Sequence, residues 1–136
     1  MIVPELTELR PDHLQDLWFL FKLCDQEHDD GAMYNPETSL VAFHNGQMVG
    51  FVTAWIDSQP YAFIDNLLVH PDFRHKGIGF WLCVAMKDIL FKRGVRSIRA
   101  IVTDGDVVFR GLVKYGFQKV KGAVVMEIFN NEKFKA

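Results

Sequence analysis

The chain has 136 residues, 49% of them hydrophobic and 13% aromatic, enough apolar material to fill one core and fold on its own. A formal charge of −2 excludes a global basic field, so charge balance suggests neither nucleic acid nor an anionic membrane as partner, and any anion site must be local. The longest apolar run, Gly77 to Met86, is about half of the roughly 20 residues a membrane span needs, so no membrane anchor is expected.

In chain order, Ile2 to Leu9 reads as a strand, and Pro11-Asp12 opens a helix with apolar positions Leu14, Leu17, Trp18, Phe21 and Cys24. That helix ends at the polar run Asp25 to Asp30, and Asp29 to Pro36 is a loop. Ser39 to His44 and Gln47 to Trp55 are β-rich runs joined by Asn45-Gly46, a strong hairpin signal. Tyr61 to Val69 is a further strand, stopped by His70-Pro71. Ile78, Leu82, Ala85, Met86 and Ile89 then recur at helical spacing, and Lys92-Arg93-Gly94 is a helix end. Ser97 to Thr103 reads as a strand, Asp106 to Tyr115 as a short helix, and Phe117 to Val120 with Ala123 to Phe129 as closing strands. The class is α+β, with a mixed, mostly antiparallel central sheet flanked by helices, and residues 1–136 form one domain.

Cys24 and Cys83 lack CxxC spacing, and Glu5, Glu8 and Arg10 interrupt the N-terminus, so free thiols and a cytoplasmic location are expected. His13, His28, His44, His70 and His75 show no ligand spacing, and no metal is expected. Trp18, Phe19 and Phe21 read as core or cleft wall, and Phe80 with Trp81 as core. The acidic run Asp25, Glu27, Asp29 and Asp30 is either a solvated helix end or the rim of a cleft for a cationic amine.

The chemically loaded stretch is Asp72-Phe73-Arg74-His75-Lys76-Gly77-Ile78-Gly79-Phe80-Trp81, between the strand ending at Val69 and the helix starting near Gly77. A strand-loop-helix joint with glycines exposes backbone N–H groups at the positive end of a helix, where a phosphate binds, and Arg74 and Lys76 add local charge. The plainer reading is a tight turn with solvated cations. The dinucleotide fingerprint fails because Leu82 stands where its third glycine belongs, and the P-loop fails because Lys76 precedes Gly77.

Val69 to Gly79 resembles the acyl-CoA signature of the GNAT superfamily of N-acyltransferases: Gln or Arg, two residues, Gly, one residue, Gly or Ala. Ile64 to Val69 is similar to that family's fourth strand, Gly46 to Trp55 to its third, and Tyr115-Gly116-Phe117 to its Gly-Phe junction. The resemblance covers nearly the whole chain. It implies that the backbone of Leu67, Leu68 and Val69 pairs with the pantetheine arm of acetyl-CoA. It also implies that the loop and helix start Arg74, His75, Lys76, Gly77, Ile78, Gly79 and Phe80 hold the pyrophosphate, Arg74 through its side chain. The partners are then acetyl-CoA and an amine acceptor, small molecule or protein, with a homodimer among the open oligomeric states.

The resemblance places Asp65 where the family often has a carboxylate that takes the amine's proton, here through a bridging water. An ordinary strand residue or part of a substrate-cation pocket are the alternatives. The family's acid, a tyrosine four residues before the junction glycine, corresponds to Leu112, and Tyr115 lies displaced from that position. The family's asparagine and alanine fall at Gly105 and Val108, where Asp106 offers a substitute polar contact and Phe109 crowds the cofactor arm. The implied activity is acetyl transfer from acetyl-CoA to a primary amine by direct attack, since no cysteine sits where a nucleophile is expected. The competing class, supported by Gly105, Leu112 and the short Asp65, is a non-catalytic module of the same fold, with or without bound CoA, acting as an interaction surface.

Overall fold

A computed structural model of the chain describes residues 2–26, 34–57, 60–102 and 107–128. Its centre is a five-stranded sheet in sequential order: β1 (Glu5–Glu8), β2 (Ser39–His44), β3 (Gln47–Ile56), β4 (Tyr61–Val69) and β5 (Ser97–Ala100). Three helices flank it: α1 (Leu14–Leu23), entered through a 3-10 turn at Pro11–His13, α2 (Ile78–Lys92) and α3 (Val107–Lys114). All neighbouring strands are antiparallel except β4 and β5, which run parallel.

Local chemistry accounts for the joints. Asn45 and Gly46 both take positive φ, 50° and 80°, the requirement of a type I′ turn that matches the twist of β2 and β3. Helix α2 ends with Gly94 at φ 88°; its N–H bonds the Phe91 carbonyl and the Val95 N–H bonds the Leu90 carbonyl, a Schellman closure. Along α2, Ile78, Leu82, Met86 and Leu90 recur every fourth residue and are each at most 1% exposed. They pack on Val52, Ala54 and Ile64 of one sheet face, while Leu17, Leu20 and Phe21 of α1 pack on Val41, Phe51 and Leu68 of the other.

One expectation is corrected. Phe117 to Val120 and Ala123 to Ile128 form no strands, and Val124, Val125, Met126 and Ile128 are 81%, 68%, 87% and 94% exposed. β-branched composition supplies only a preference for a pleated, half-buried surface; a strand exists when a ladder partner completes it. Strand β5 pairs with β4 over Tyr61↔Ser97 to Ile64↔Ala100 and with no other described strand. The expected aromatic core also thins: Phe21 is buried, but Trp18, Phe19 and Trp81 are 37%, 63% and 36% exposed.

Candidate active site

The site begins where two strands part. β5 stops at Ala100 opposite Ile64, whereas β4 continues to Val69 with only β3 beside it among the described residues. A register shift marks the fork: Val52 faces Leu67 but Ala54 faces Ile64, so Asp65 and Asn66 bulge opposite the single residue Thr53. Beyond the bulge, Val69 faces Gly50 and the His70 N–H bonds the Val49 carbonyl at 2.9 Å. Partners alternate along an antiparallel ladder, so the N–H and C=O groups of Val69 and Leu67 turn away from β3 to the open edge. The Val69 carbonyl confirms this by accepting Arg74 Nε at 3.2 Å and the Cys24 thiol at 3.4 Å, neither of which belongs to the sheet.

The loop after β4 turns sharply. His70 receives the Asp72 N–H on Nδ1 at 3.1 Å, Pro71–Phe73 forms a 3-10 turn, and His75 and Gly77 both adopt left-handed φ, 63° and 86°. Gly77 is the N-cap of α2 and supplies no side-chain cap. The first helical bond, Trp81 N–H to the Gly77 carbonyl at 3.0 Å, leaves the N–H groups of Ile78, Gly79 and Phe80 without intrahelical acceptors. Unspent donors at the positive pole of a 15-residue helix are an anion trap.

Open edge and helix start share one cavity of about 520 Å³, within the range of small-molecule sites. Of the residues singled out in the sequence, Leu67, Leu68, Val69, Arg74, His75, Gly77, Ile78, Gly79 and Phe80 line it. Lys76 does not; its carbonyl accepts the Ile2 N–H at 3.1 Å. Phe109 lines a second groove, shared with Phe63 and β5, and not this cavity. Tyr115 packs on the Phe80 ring, centroids 4.1 Å apart, with Lys87 Nζ 5.9 Å from its own ring centroid, and does not line the cavity. The helical offset from Leu112 explains this: Leu112 itself occupies the cavity wall. Glu27, Asp29, Asp30, Gly105 and Asp106 lie outside the described residues.

Sequence reasoning missed Cys24, which it assigned to a buried helix face. Cys24 and Gln26 line the cavity because α1 ends there, a contact between segments 45 residues apart that no local pattern announces. Asp65 is exposed at the fork, and the Trp55 indole N–H donates to its Oδ2 at 2.9 Å. Among the described residues no three His, Cys, Asp or Glu side chains converge on a metal site, and no helix is long and apolar enough to cross a membrane.

A mixed sheet whose one parallel pair ends early, an open strand edge and an uncapped glycine-led helix start thus meet at one cavity. The acetyltransferase (GNAT) family model matches residues 3–117, and the chain belongs to that family. An acetyltransferase of Pectobacterium atrosepticum is 30% identical over 126 residues, covering 85% of this chain and 89% of that protein. Ard1 from Thermoplasma volcanium superposes with a TM-score of 0.72 at 25% identity, covering 86% of this chain and 84% of its own. The fold is also shared, at 18% identity and a TM-score of 0.72, with a ribosomal-protein-alanine N-acetyltransferase from Brucella melitensis, covering 94% of this chain and 100% of that one. An aminoglycoside N-acetyltransferase in complex with CoA gives 0.71 at 20% identity, covering 95% and 96%.

Proposed function

We propose that this chain, acting as a single domain, transfers an acetyl group from acetyl-CoA to a primary amine by direct attack. The observation that carries the reading is the open edge of β4 meeting the uncapped start of α2 across one cavity. Leu67 and Val69 offer backbone groups to the amides of a pantetheine arm, much as an added strand would. The N–H groups of Ile78, Gly79 and Phe80 suit a pyrophosphate, and Arg74 exchanges its bond to the Val69 carbonyl for a phosphate oxygen. Acceptors named for structural neighbours, an aminoglycoside and a ribosomal protein, are both amines.

In the reaction the amine nitrogen forms a bond to the thioester carbon, the C–S bond breaks, and CoA leaves as thiolate. The Val69 N–H, on the open edge, is the donor placed for the tetrahedral oxyanion. The thiolate, of pKa about 8.5 in water, departs without a side-chain acid, which suits Tyr115 packed on Phe80. The amine's proton leaves to water in the open cleft. Direct transfer needs no enzyme nucleophile, and the Cys24 thiol in the cavity wall donates to the Val69 carbonyl at 3.4 Å.

The test is thermal unfolding with and without acetyl-CoA, beside an Arg74→Glu variant. Ligand at about a hundredfold over Kd stabilises by about 2.7 kcal/mol, a shift of several degrees, and Arg74→Glu should lose most of it. Release of free thiol on addition of an amine separates the enzyme from a non-catalytic module; stabilisation without release establishes the module.

A further inference from the structure

Asp65 does not reach out alone. Its Oδ2 is tied at 2.9 Å to an indole rising from β3, on the side of β4 opposite the open edge. Trp55 faces Phe63 across the ladder, so carboxylate, indole and phenyl ring share one sheet face. The two aromatics are 46% and 40% exposed, large apolar faces left to solvent beside a charge. An exposed carboxylate flanked by aromatic faces is the chemistry that selects an organic cation: Coulomb attraction to the acid and cation–π attraction to the rings act on the same ammonium.

Building on the amine-acetylating reading above, we propose that Asp65, Trp55 and Phe63 form a subsite for a second cationic group of the acceptor, so that the acceptor is a diamine. On the reading above the thioester would sit at the Val69 N–H, whereas Asp65 stands further back along β4, with Phe63 between Trp55 of β3 and Arg99 of β5. Four residues of strand separate Asp65 from Val69, about 13 Å, the reach of a long alkyl diamine and too far for one nitrogen to occupy both. Asp65 is therefore a binding residue, and Trp55 a positioning residue that fixes its carboxylate and supplies a ring face.

The experiment compares 1,8-diaminooctane with n-octylamine as acceptors. The diamine should show a KM at least about tenfold lower, and Asp65→Asn or Trp55→Ala should collapse that ratio to within about twofold, with the loss in KM rather than kcat. In parallel, 1,8-diaminooctane titrated without acetyl-CoA should change the tryptophan emission, and Trp55→Phe, which retains Trp18 and Trp81, should abolish the change. Turnover with equal KM for both amines and no emission change overturns the diamine subsite and leaves acetyl transfer standing. No turnover with either amine overturns acetyl transfer, and the emission titration then decides the cation subsite by itself: a change lost in Trp55→Phe supports it, and no change refutes it.

Discussion

The two cysteines have opposite fates, set by where each sits. Burial pushes the Cys83 thiol up from about 9 to about 12, because a thiolate inside α2 would be stranded without solvent. Between those values the unfolded chain ionises and the folded chain does not, so this contribution to stability is complete below about pH 9 and is lost as pH rises toward 12. The slope is about 1.4 kcal/mol per pH unit at most, and Cys83→Ala should flatten it in urea midpoints compared at about pH 8 and about pH 10. Cys24, half-buried in the cavity wall, should be the thiol that a disulfide reagent labels in the native protein, and saturating acetyl-CoA should slow that labelling. Gly50 answers to a packing constraint: a Cβ there would meet Leu82 Cδ1 at 2.8 Å, Ile78 Cγ2 at 3.1 Å and the Leu68 carbonyl at 3.3 Å. Gly50→Ala should therefore cost about 1–3 kcal/mol, read as a lower denaturation midpoint with an unchanged m-value. Arg74, Gly77 and Gly79 were legible from the chain because a loop motif is contiguous. Trp55 as partner of Asp65 was not, since ten residues and a bulge separate them and only the register brings them together.

Strand β4 is half edge strand: it pairs with β5 only through Ile64 and continues to Val69 beside β3. Val69→Pro removes an N–H that points away from β3, whereas Leu68→Pro removes one that points into the ladder. The first should unfold cooperatively near the parent midpoint and lose acetyl-CoA stabilisation; the second should lose the fold, as judged by circular dichroism. Equal damage from both would contradict the assigned edge. Most elements were readable in advance: the β2–β3 hairpin from Asn45-Gly46, β4 from its stop at His70-Pro71, and α2 from its four-residue apolar spacing and glycine end. The limit of the parallel pairing was not readable. Ser97 to Thr103 has uniform strand character, yet the strand ends at Ala100, where β4 bulges away.

For the whole molecule, two unlike regions follow from one sheet. β2, β3 and β4 carry both core clusters, with α1 and α2 on opposite faces, while residues 118–128 lie exposed beyond α3. Backbone with few buried apolar contacts opens at low free energy, so brief trypsin treatment should cut after Lys121 before it cuts after Lys22 in α1 or Lys87 in α2, with fragment masses as the readout. Protection of Lys121 until global unfolding would mean that this segment is covered in solution.

The family, the fold class and most element boundaries can be read from the chain alone, and the glycine loop stands out there as a candidate anion site, because each rests on local preference, apolar period or a contiguous motif. Long-range packing set which backbone groups of β4 turn away from β3, that Cys24 and Leu112 wall the cavity, and that Tyr115 and Phe109 do not. It also decided that the closing segment lacks a ladder and that Asp65 is held by Trp55. These depend on strand register, on a one-residue bulge and on helix rotation, and such long-range geometry is set by the packing of distant segments rather than by any residue's neighbours in the chain.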